Sequence, residues 1–138
     1  MKKILFLIVL GSVLSCKQKI TDADISNLNG YWEIEKVELP DGDKKEYKVN
    51  ETIDFFKIKD EKGFRKKVMP QLDGTYLTND IQEDIVIAVK DGDATIQYKT
   101  TYASWKEEII ELTKDKLVVK NEQDLEYHYK RPVKFSVK

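Results

Sequence analysis

The stretch IVIAVKDGDATIQYKTTY, residues 85–102, decides the fold class. Residues 85–89 form a continuous apolar run of the kind found in a buried strand. Asp91 and Gly92 then supply the pair of residues that favours a tight hairpin turn. From 95 to 102, polar residues at the odd positions alternate with Ile, Tyr, Thr and Tyr at the even positions, as expected for a strand with one buried face. The stretch therefore predicts an antiparallel β-hairpin.

The same pattern of short strand and turn continues in both directions from this hairpin. Turn residues separate nearly every pair of predicted strands, and no internal helix is predicted. Apolar positions change parity near Glu35, which predicts a bulge or sharp bend there, and change parity again within residues 53–58. Two strands that both switch faces predict a strongly coiled sheet. With about eight or nine short strands behind a short helix that Thr21 or Asp22 caps and that runs through Asn27, the chain is predicted to be all-β. The expected architecture is an antiparallel barrel or sandwich, with up-and-down order favoured.

Charge and cysteine content restrict the class of protein. The chain has 138 residues, of which 36% are charged with the two signs interspersed. Beyond residue 15 there are 22 basic and 25 acidic side chains, a formal charge of −3, which gives no reason to expect a nucleic acid partner. Cys16 is the single cysteine, so the domain is predicted to be stable without a disulfide.

The first sixteen residues, MKKILFLIVLGSVLSC, differ from the rest. Two lysines, an apolar run shorter than the roughly 20 residues that span a bilayer, and a small residue before Cys16 are typical of a secretory signal peptide. The ending resembles the lipobox of bacterial lipoproteins. In that family the cysteine thiol receives a diacylglyceryl group, the peptide is cut before the cysteine, and the new amine is usually acylated. The alternatives are an ordinary signal peptide with a chance cysteine and an uncleaved N-terminal anchor.

The lipobox resemblance implies three segments: a signal peptide over 1–15, a lipidated tether over 16–22 and a water-exposed domain over 23–138. Acyl chains such as palmitate on Cys16 would attach the protein to the membrane, because two or three chains hold stably where one does not. Lys17 follows Cys16, where an aspartate would mark inner-membrane retention in some Gram-negative bacteria. The resemblance therefore favours the outer membrane within the cell envelope.

Four short motifs in the domain resemble the small bacterial lipocalin-like lipoproteins. They are Gly30-Tyr31-Trp32 at the start of the first strand, Phe55-Phe56 followed by the turn at 60–63 and Phe64, the hairpin LTKDKLV at 112–118, and YHYKR at 127–131. The resemblance covers roughly residues 27–131 and implies a lipocalin-like barrel. It also implies that Arg131 from the last strand stacks on Trp32 and closes one end of the barrel. The competing interpretation is that Trp32 is ordinary core and Arg131 ordinary surface.

The domain has no arrangement of residues typical of an enzyme, and we predict that it is not one. The only histidine, His128, shares strand parity with Glu126 and Lys130 and is expected on the solvated outer face. No serine lies in a Gly-x-Ser-x-Gly context. The Asp-Gly-Asp triplets at 41–43 and 91–93 lack the further ligands of an EF-hand and are explained as turns, so no metal or other cofactor is predicted.

The interior of an eight-stranded barrel either fills with side chains or holds one small ligand. Strand parity places a set of aromatic and aliphatic side chains inward, and buried tyrosine hydroxyls need a partner. Five of these tyrosines are the candidate ligand-binding residues, unless they line the barrel mouth and point into solvent: Tyr76, Tyr98, Tyr102, Tyr127 and Tyr129. The other residues expected to face inward are Ile34, Phe55, Ile96 and Leu125.

Two functions remain open at this point. The first is a lipid-anchored envelope protein that holds a small apolar or amphipathic ligand in a lipocalin-like barrel. The second is an interaction or structural module of the envelope with a filled barrel, for which Tyr102 and Trp105 are plausible contacts with a partner protein.

Overall fold

The computed structural model describes residues 17–133, and the predicted signal peptide and Cys16 lie outside this range. Eight antiparallel strands close into a barrel, with a short 3₁₀ helix before them at Asp22–Leu28. This confirms the predicted all-β, up-and-down barrel with a short N-terminal helix. The strands are β1 (Gly30–Glu38), β2 (Lys44–Glu46), β3 (Ile53–Lys59), β4 (Lys62–Pro70), β5 (Tyr76–Leu77), β6 (Glu83–Lys90), β7 (Asp93–Lys99), β8 (Ser104–Leu112), β9 (Lys116–Asn121) and β10 (Glu126–Lys130).

Strand β1 closes the barrel because it pairs with a different neighbour on each edge. Its first residues, Gly30–Trp32, pair with β3, and the residues from Glu33 onward pair with β10. The ladder with β10 shifts register between Ile34 and Lys36, which confirms the bulge predicted near Glu35. The short strands β2 and β5 pair with β1 and β4 and lie outside the ring of eight.

The hairpin that opened the sequence analysis forms as predicted. β6 and β7 pair from Asp84↔Lys99 to Lys90↔Asp93. The two turn residues, Asp91 and Gly92, have φ of 53° and 84°, the left-handed pair that a type I′ hairpin turn requires. The inward positions of this hairpin supply part of the buried core, including Ile85, Ile87, Ala94 and Ile96.

The 3₁₀ helix covers one end of the barrel. Its apolar residues Ile25 and Leu28 are buried in the core, and Ile20 before it is buried as well. The segment predicted as a lipidated tether is therefore docked on the barrel over its described part, residues 17–22. The Ile20 N–H donates to the Gly92 carbonyl at 2.9 Å, and the Gln18 side chain bonds both the N–H and the carbonyl of Leu112. The reason is that burying Ile20 removes apolar surface from water while Gln18 satisfies backbone groups of β8.

Candidate functional site

The closed end of the barrel is built around Trp32 and Arg131. The Trp32 ring is fully buried, and its indole N–H donates to the Leu28 carbonyl at 2.9 Å. Arg131 Cζ lies 3.6 Å from the centroid of that ring, which is a cation–π contact. The guanidinium donates to three backbone carbonyls, at 2.7 Å to Lys114, 3.0 Å to Tyr31 and 2.8 Å to Asn27. This geometry ties the last strand, the helix and the first strand together at the closed end.

Gly30 is part of the same closure. Its φ of +108° is a conformation that L side chains rarely adopt, and a Cβ there would lie 3.2 Å from Arg131 Nη1. The glycine two residues before Trp32 thus gives β1 its entry angle and leaves room for the guanidinium.

The middle of the barrel contains a buried arginine. Arg65 on β4 points inward and donates from Nε and Nη2 to both carboxylate oxygens of Glu83, at 2.6 and 2.8 Å. Its Cζ lies 4.3 Å from the ring centroid of Tyr98, which is fully buried. Its Nη1 lies 3.9 Å from Glu107 Oε1. Arg65 therefore links β4, β6, β7 and β8 across the interior.

A second ion pair lies closer than Arg65 to the open end of the barrel, which is the end away from the 3₁₀ helix. Asp54 on β3 is buried, and Lys67 Nζ on β4 lies 2.6 Å from its Oδ1 as an ion pair without hydrogen-bond geometry. The two residues face each other directly across the β3–β4 ladder. The lysine side chain is more than half exposed, so it reaches from the carboxylate toward solvent.

Among the interior carboxyl groups of the described strands, Glu107 on β8 has the weakest ion pairing and hydrogen bonding. Its residue exposure is 7%, and burial raises the pKa of its carboxyl, with contact to the Tyr98 hydroxyl and the charge of Arg65 opposing that rise. Within residues 17–133, nothing donates a hydrogen bond to its Oε1. Since buried polar atoms are nearly always satisfied, an orphaned acceptor beside a cavity suggests a missing donor.

The balance of these interior charges is negative. The inward charged side chains on the described strands are Arg65 and Lys67 against Asp54, Glu83 and Glu107. Glu83 neutralises Arg65 and Asp54 neutralises Lys67. Glu107 shares its cation with Glu83: Arg65 holds Glu83 in a bidentate pair, and its Nη1 lies 3.9 Å from Glu107 Oε1.

A cavity of about 480 Å³ lies at the open end of the barrel. Glu107 and Arg65 lie in its lining, and aromatic side chains form part of its wall: Trp105, Tyr127 and Tyr129. Trp105 stacks on Tyr98 with ring centroids 5.3 Å apart, and the Tyr127 hydroxyl accepts from the Asn121 side-chain amide at 3.3 Å. The open end thus combines rigid aromatic surface with an acidic group.

The five candidate tyrosines do not lie together. Tyr98 and Tyr129 are buried inside, and Tyr127 lines the cavity beside Tyr129. Tyr76 belongs to β5 and stacks on Tyr31 at 4.0 Å on the outside of the sheet. The inward position predicted for Tyr102 is wrong: this residue is 95% exposed in the turn between β7 and β8, because β7 ends at Lys99.

Phe55 is a second correction to the predicted interior. Its parity with Ile53 suggested an inward position, but Phe55 lies on the outer face, 4.8 Å from the Tyr31 ring and 6.2 Å from the Phe64 ring. The alternate residues Asp54, Phe56 and Ile58 are the buried set on this strand. Ile53 is buried as well, so both faces of β3 carry apolar residues.

His128 is a third correction. It lies on the face predicted for it, opposite Tyr127 and Tyr129, but it is only 9% exposed rather than solvated. The side chains of Glu38 and Glu126 lie beside it.

Replacing Glu107 with glutamine is expected to stabilise the protein, and increasingly so as pH rises. Because its pKa is raised in the folded state, the native protein binds this proton more tightly than the unfolded chain, whose ordinary value is 4.5. The contribution of Glu107 to stability is therefore fully present below that value and is lost as pH rises through the raised pKa. Glutamine cannot ionise, so the variant escapes this loss and its advantage over the native protein should be largest at the highest pH measured. Urea unfolding from pH 4 to pH 8 measures this, and equal curves for both proteins would contradict it.

Comparison with known proteins identifies the family of the domain. The lipocalin-like domain family matches residues 28–119. A lipocalin-like protein from Bacteroides uniformis shares 11% identity at a TM-score of 0.49, covering 77% of this chain and 99% of that one. An uncharacterized protein from Bacteroides eggerthii shares 15% identity at a TM-score of 0.47, covering 76% and 99%. A search of curated proteins found no match.

The family match spans two thirds of the chain and runs from the last residue of the 3₁₀ helix into β9. It includes the strands that carry Trp32, Arg65 and Glu107. On this match, the chain belongs to the lipocalin-like domain family.

Proposed function

We propose that the protein is a lipid-anchored envelope lipoprotein whose barrel binds a small amphipathic molecule at its open end. The observation that carries the proposal is Glu107 Oε1, a buried acceptor that receives no hydrogen bond from residues 17–133, beside a cavity of about 480 Å³. Ligand sites typically combine apolar and aromatic walls with a few placed polar groups. We propose a binding protein rather than an enzyme.

The chemistry of the lining indicates the kind of ligand. Arg65 and Lys67 are already paired with Glu83 and Asp54. Lys106, the remaining cation of the lining, is exposed on β8 and shares the outward parity of Glu108, so an anionic head group finds no unpaired cation on the inner wall of the cavity. Glu107 offers an acceptor to an amine, and the ligand's apolar part would lie against Trp105 and Tyr127, where an aromatic face also attracts a cation. A small molecule with a flat or aliphatic body and an amino group fits best.

Isothermal titration calorimetry with two matched probes tests this ligand class. Phenethylamine and 3-phenylpropionate have similar bodies and opposite charges. We expect the full chain to bind the amine at least tenfold more tightly than the acid, and Glu107→Gln to remove most of that preference. Glu108→Gln is the control, because Glu108 lies on the same strand and faces outward, so it should leave the preference unchanged. Equal affinity for both probes, or tighter binding of the acid, would refute the amine preference.

The membrane anchor is a separate part of the proposal. Its support is the sequence of residues 1–16, which lie outside the described range. Within residues 17–133, no helix has the length and apolar composition to cross a membrane. We propose that acyl chains on Cys16 attach the protein to the outer membrane. Intact mass spectrometry should show an acylated chain that begins at Cys16, whereas Cys16→Ser should carry no acyl mass.

Two exposed regions with aromatic and aliphatic side chains support a second candidate function, contact with an envelope protein. Tyr102 is 95% exposed at the tip of the β7–β8 turn, and Val49 and Val133 are exposed beside Tyr76 in an outer groove. Trp105, in contrast, is stacked on Tyr98 and is poorly placed to reach a partner. In-cell cross-linking from position 102 tests this candidate, and Tyr102→Ala should remove the cross-linked partner if the contact exists.

A further inference from the structure

The seam where the barrel closes carries two carboxylates directly opposite each other. Glu38 on β1 and Glu126 on β10 are register partners in the antiparallel ladder. Like charges at directly opposed positions destabilise a sheet unless something compensates them. Both side chains are about a third exposed, so a solvent ion can reach the space between them.

His128 points into the same space. It is 9% exposed, its Nε2 lies 3.3 Å from Glu126 Oε1 and 3.8 Å from Glu38 Oε2, and this nitrogen makes no hydrogen bond with residues 17–133. A buried ring nitrogen that makes no hydrogen bond is unusual, because such atoms are almost always satisfied. This unsatisfied nitrogen is a second observation beside the two opposed carboxylates.

We propose that Glu38, Glu126 and His128 bind a divalent transition metal ion, with Zn²⁺ as the best fit. One atom from each residue lies within 4.8 Å of the others. Ligand bonds of about 2.0–2.2 Å in a tetrahedral site place the ligand atoms roughly 3.3–3.5 Å apart, so small side-chain adjustments suffice. One imidazole and two carboxylates favour a borderline ion such as Zn²⁺ over Mg²⁺, which prefers oxygen ligands and retained waters.

The surroundings orient the ligands. Lys36 Nζ lies 3.1 Å from Glu38 Oε1, which leaves Oε2 of the same carboxylate turned toward His128. The three ligands sit on paired strands rather than on loops, so their spacing is set by the β1–β10 ladder. The site lies on the outer face, and none of its residues lines the cavity at the open end. Metal binding here is therefore independent of the proposed ligand binding.

Isothermal titration calorimetry of the full chain, purified without a polyhistidine tag, tests the site. With ZnCl₂ at pH 7.5 we expect one equivalent to bind, and MgCl₂ at the same concentration to give no comparable heat. His128→Gln and Glu126→Gln should each weaken Zn²⁺ binding at least tenfold. Glu122→Gln, outside the site, is the control and should leave it unchanged. Circular dichroism checks that each variant is folded, and Glu38→Gln replaces any variant that is not.

Several results would overturn the proposal. They are the absence of Zn²⁺ heat, equal binding of Mg²⁺, or Zn²⁺ binding that survives in the folded variants of the three ligands. If Zn²⁺ does not bind and NMR shows His128 protonated at pH 7.5, the cluster is a histidine held by two carboxylates and the metal site is refuted.

Discussion

Replacing Arg65 with methionine is expected to lower the free energy of unfolding by about 3–5 kcal/mol, the range for removing one partner of a buried ion pair. Methionine keeps most of the volume but removes the charge that neutralises Glu83 and faces Glu107. Burial would otherwise disfavour a charge here, yet the surrounding groups raise the pKa of Arg65 above its ordinary value. Urea denaturation at pH 7 measures the loss.

Two companion variants separate charge from packing. Arg65→Met combined with Glu83→Gln should recover a large part of the loss, because the carboxylate left unpaired is then gone. Arg65→Lys should be intermediate, since an ammonium keeps the charge but cannot make the bidentate pair that Glu83 accepts. If Arg65→Met costs less than about 1 kcal/mol, the interior network is not a major source of stability.

Replacing Trp32 with alanine is expected to cost about 3–5 kcal/mol, as for other large aromatic side chains in a core. The ring is fully buried, its N–H donates to Leu28, and it supports the guanidinium of Arg131. Thermal unfolding followed by circular dichroism measures the loss.

Arg131→Met serves as the matched comparison for the closed end. It removes the cation–π contact and three hydrogen bonds to carbonyls while leaving the Trp32 ring in place. Its cost should be smaller than that of Trp32→Ala. The double variant should show that the two losses are not additive, because the residues are in contact. Strict additivity would contradict the described closure.

The fold could be predicted because local signals agree along most of the chain. In residues 85–102 the alternation, the turn residues and the apolar run all specify one hairpin, and the observed register matches it. The bulge in β1 was visible as a change of parity near Glu35 and is present. Each of these signals depends only on residues close together in the sequence, so each can be recognised without the structure.

Strand parity on β4 indicates the wrong direction for one side chain of the site. On β4, Phe64 and Val68 are the apolar residues of one parity, which suggests that Arg65 and Lys67 face solvent. In the barrel Arg65 points inward instead, because Glu83 on β6 and Tyr98 on β7 provide it with partners. Such pairing depends on strands far apart in sequence. Glu107, in contrast, shares parity with Trp105 and Ile109, so a signal for its inward position was available.

Strand ends account for the tyrosines that were misplaced. Alternation continues in the sequence to Tyr102, but the paired strand stops at Lys99 and the chain turns. Tyr76 sits on a two-residue strand that pairs only with β4, outside the ring. Alternation shows which residues share a face, but it does not show where the ladder ends.

The most direct test of the central claim is an NMR titration of the ¹⁵N-labelled full chain with phenethylamine. If the open end binds an amphipathic amine, the largest shifts should fall on the Trp105 indole N–H and on the amides of Glu107, Tyr127 and Tyr129. The Trp32 indole N–H at the closed end should stay fixed, and Glu107→Gln should weaken the response. Shifts confined to the outer face, or none at millimolar amine, would contradict the account.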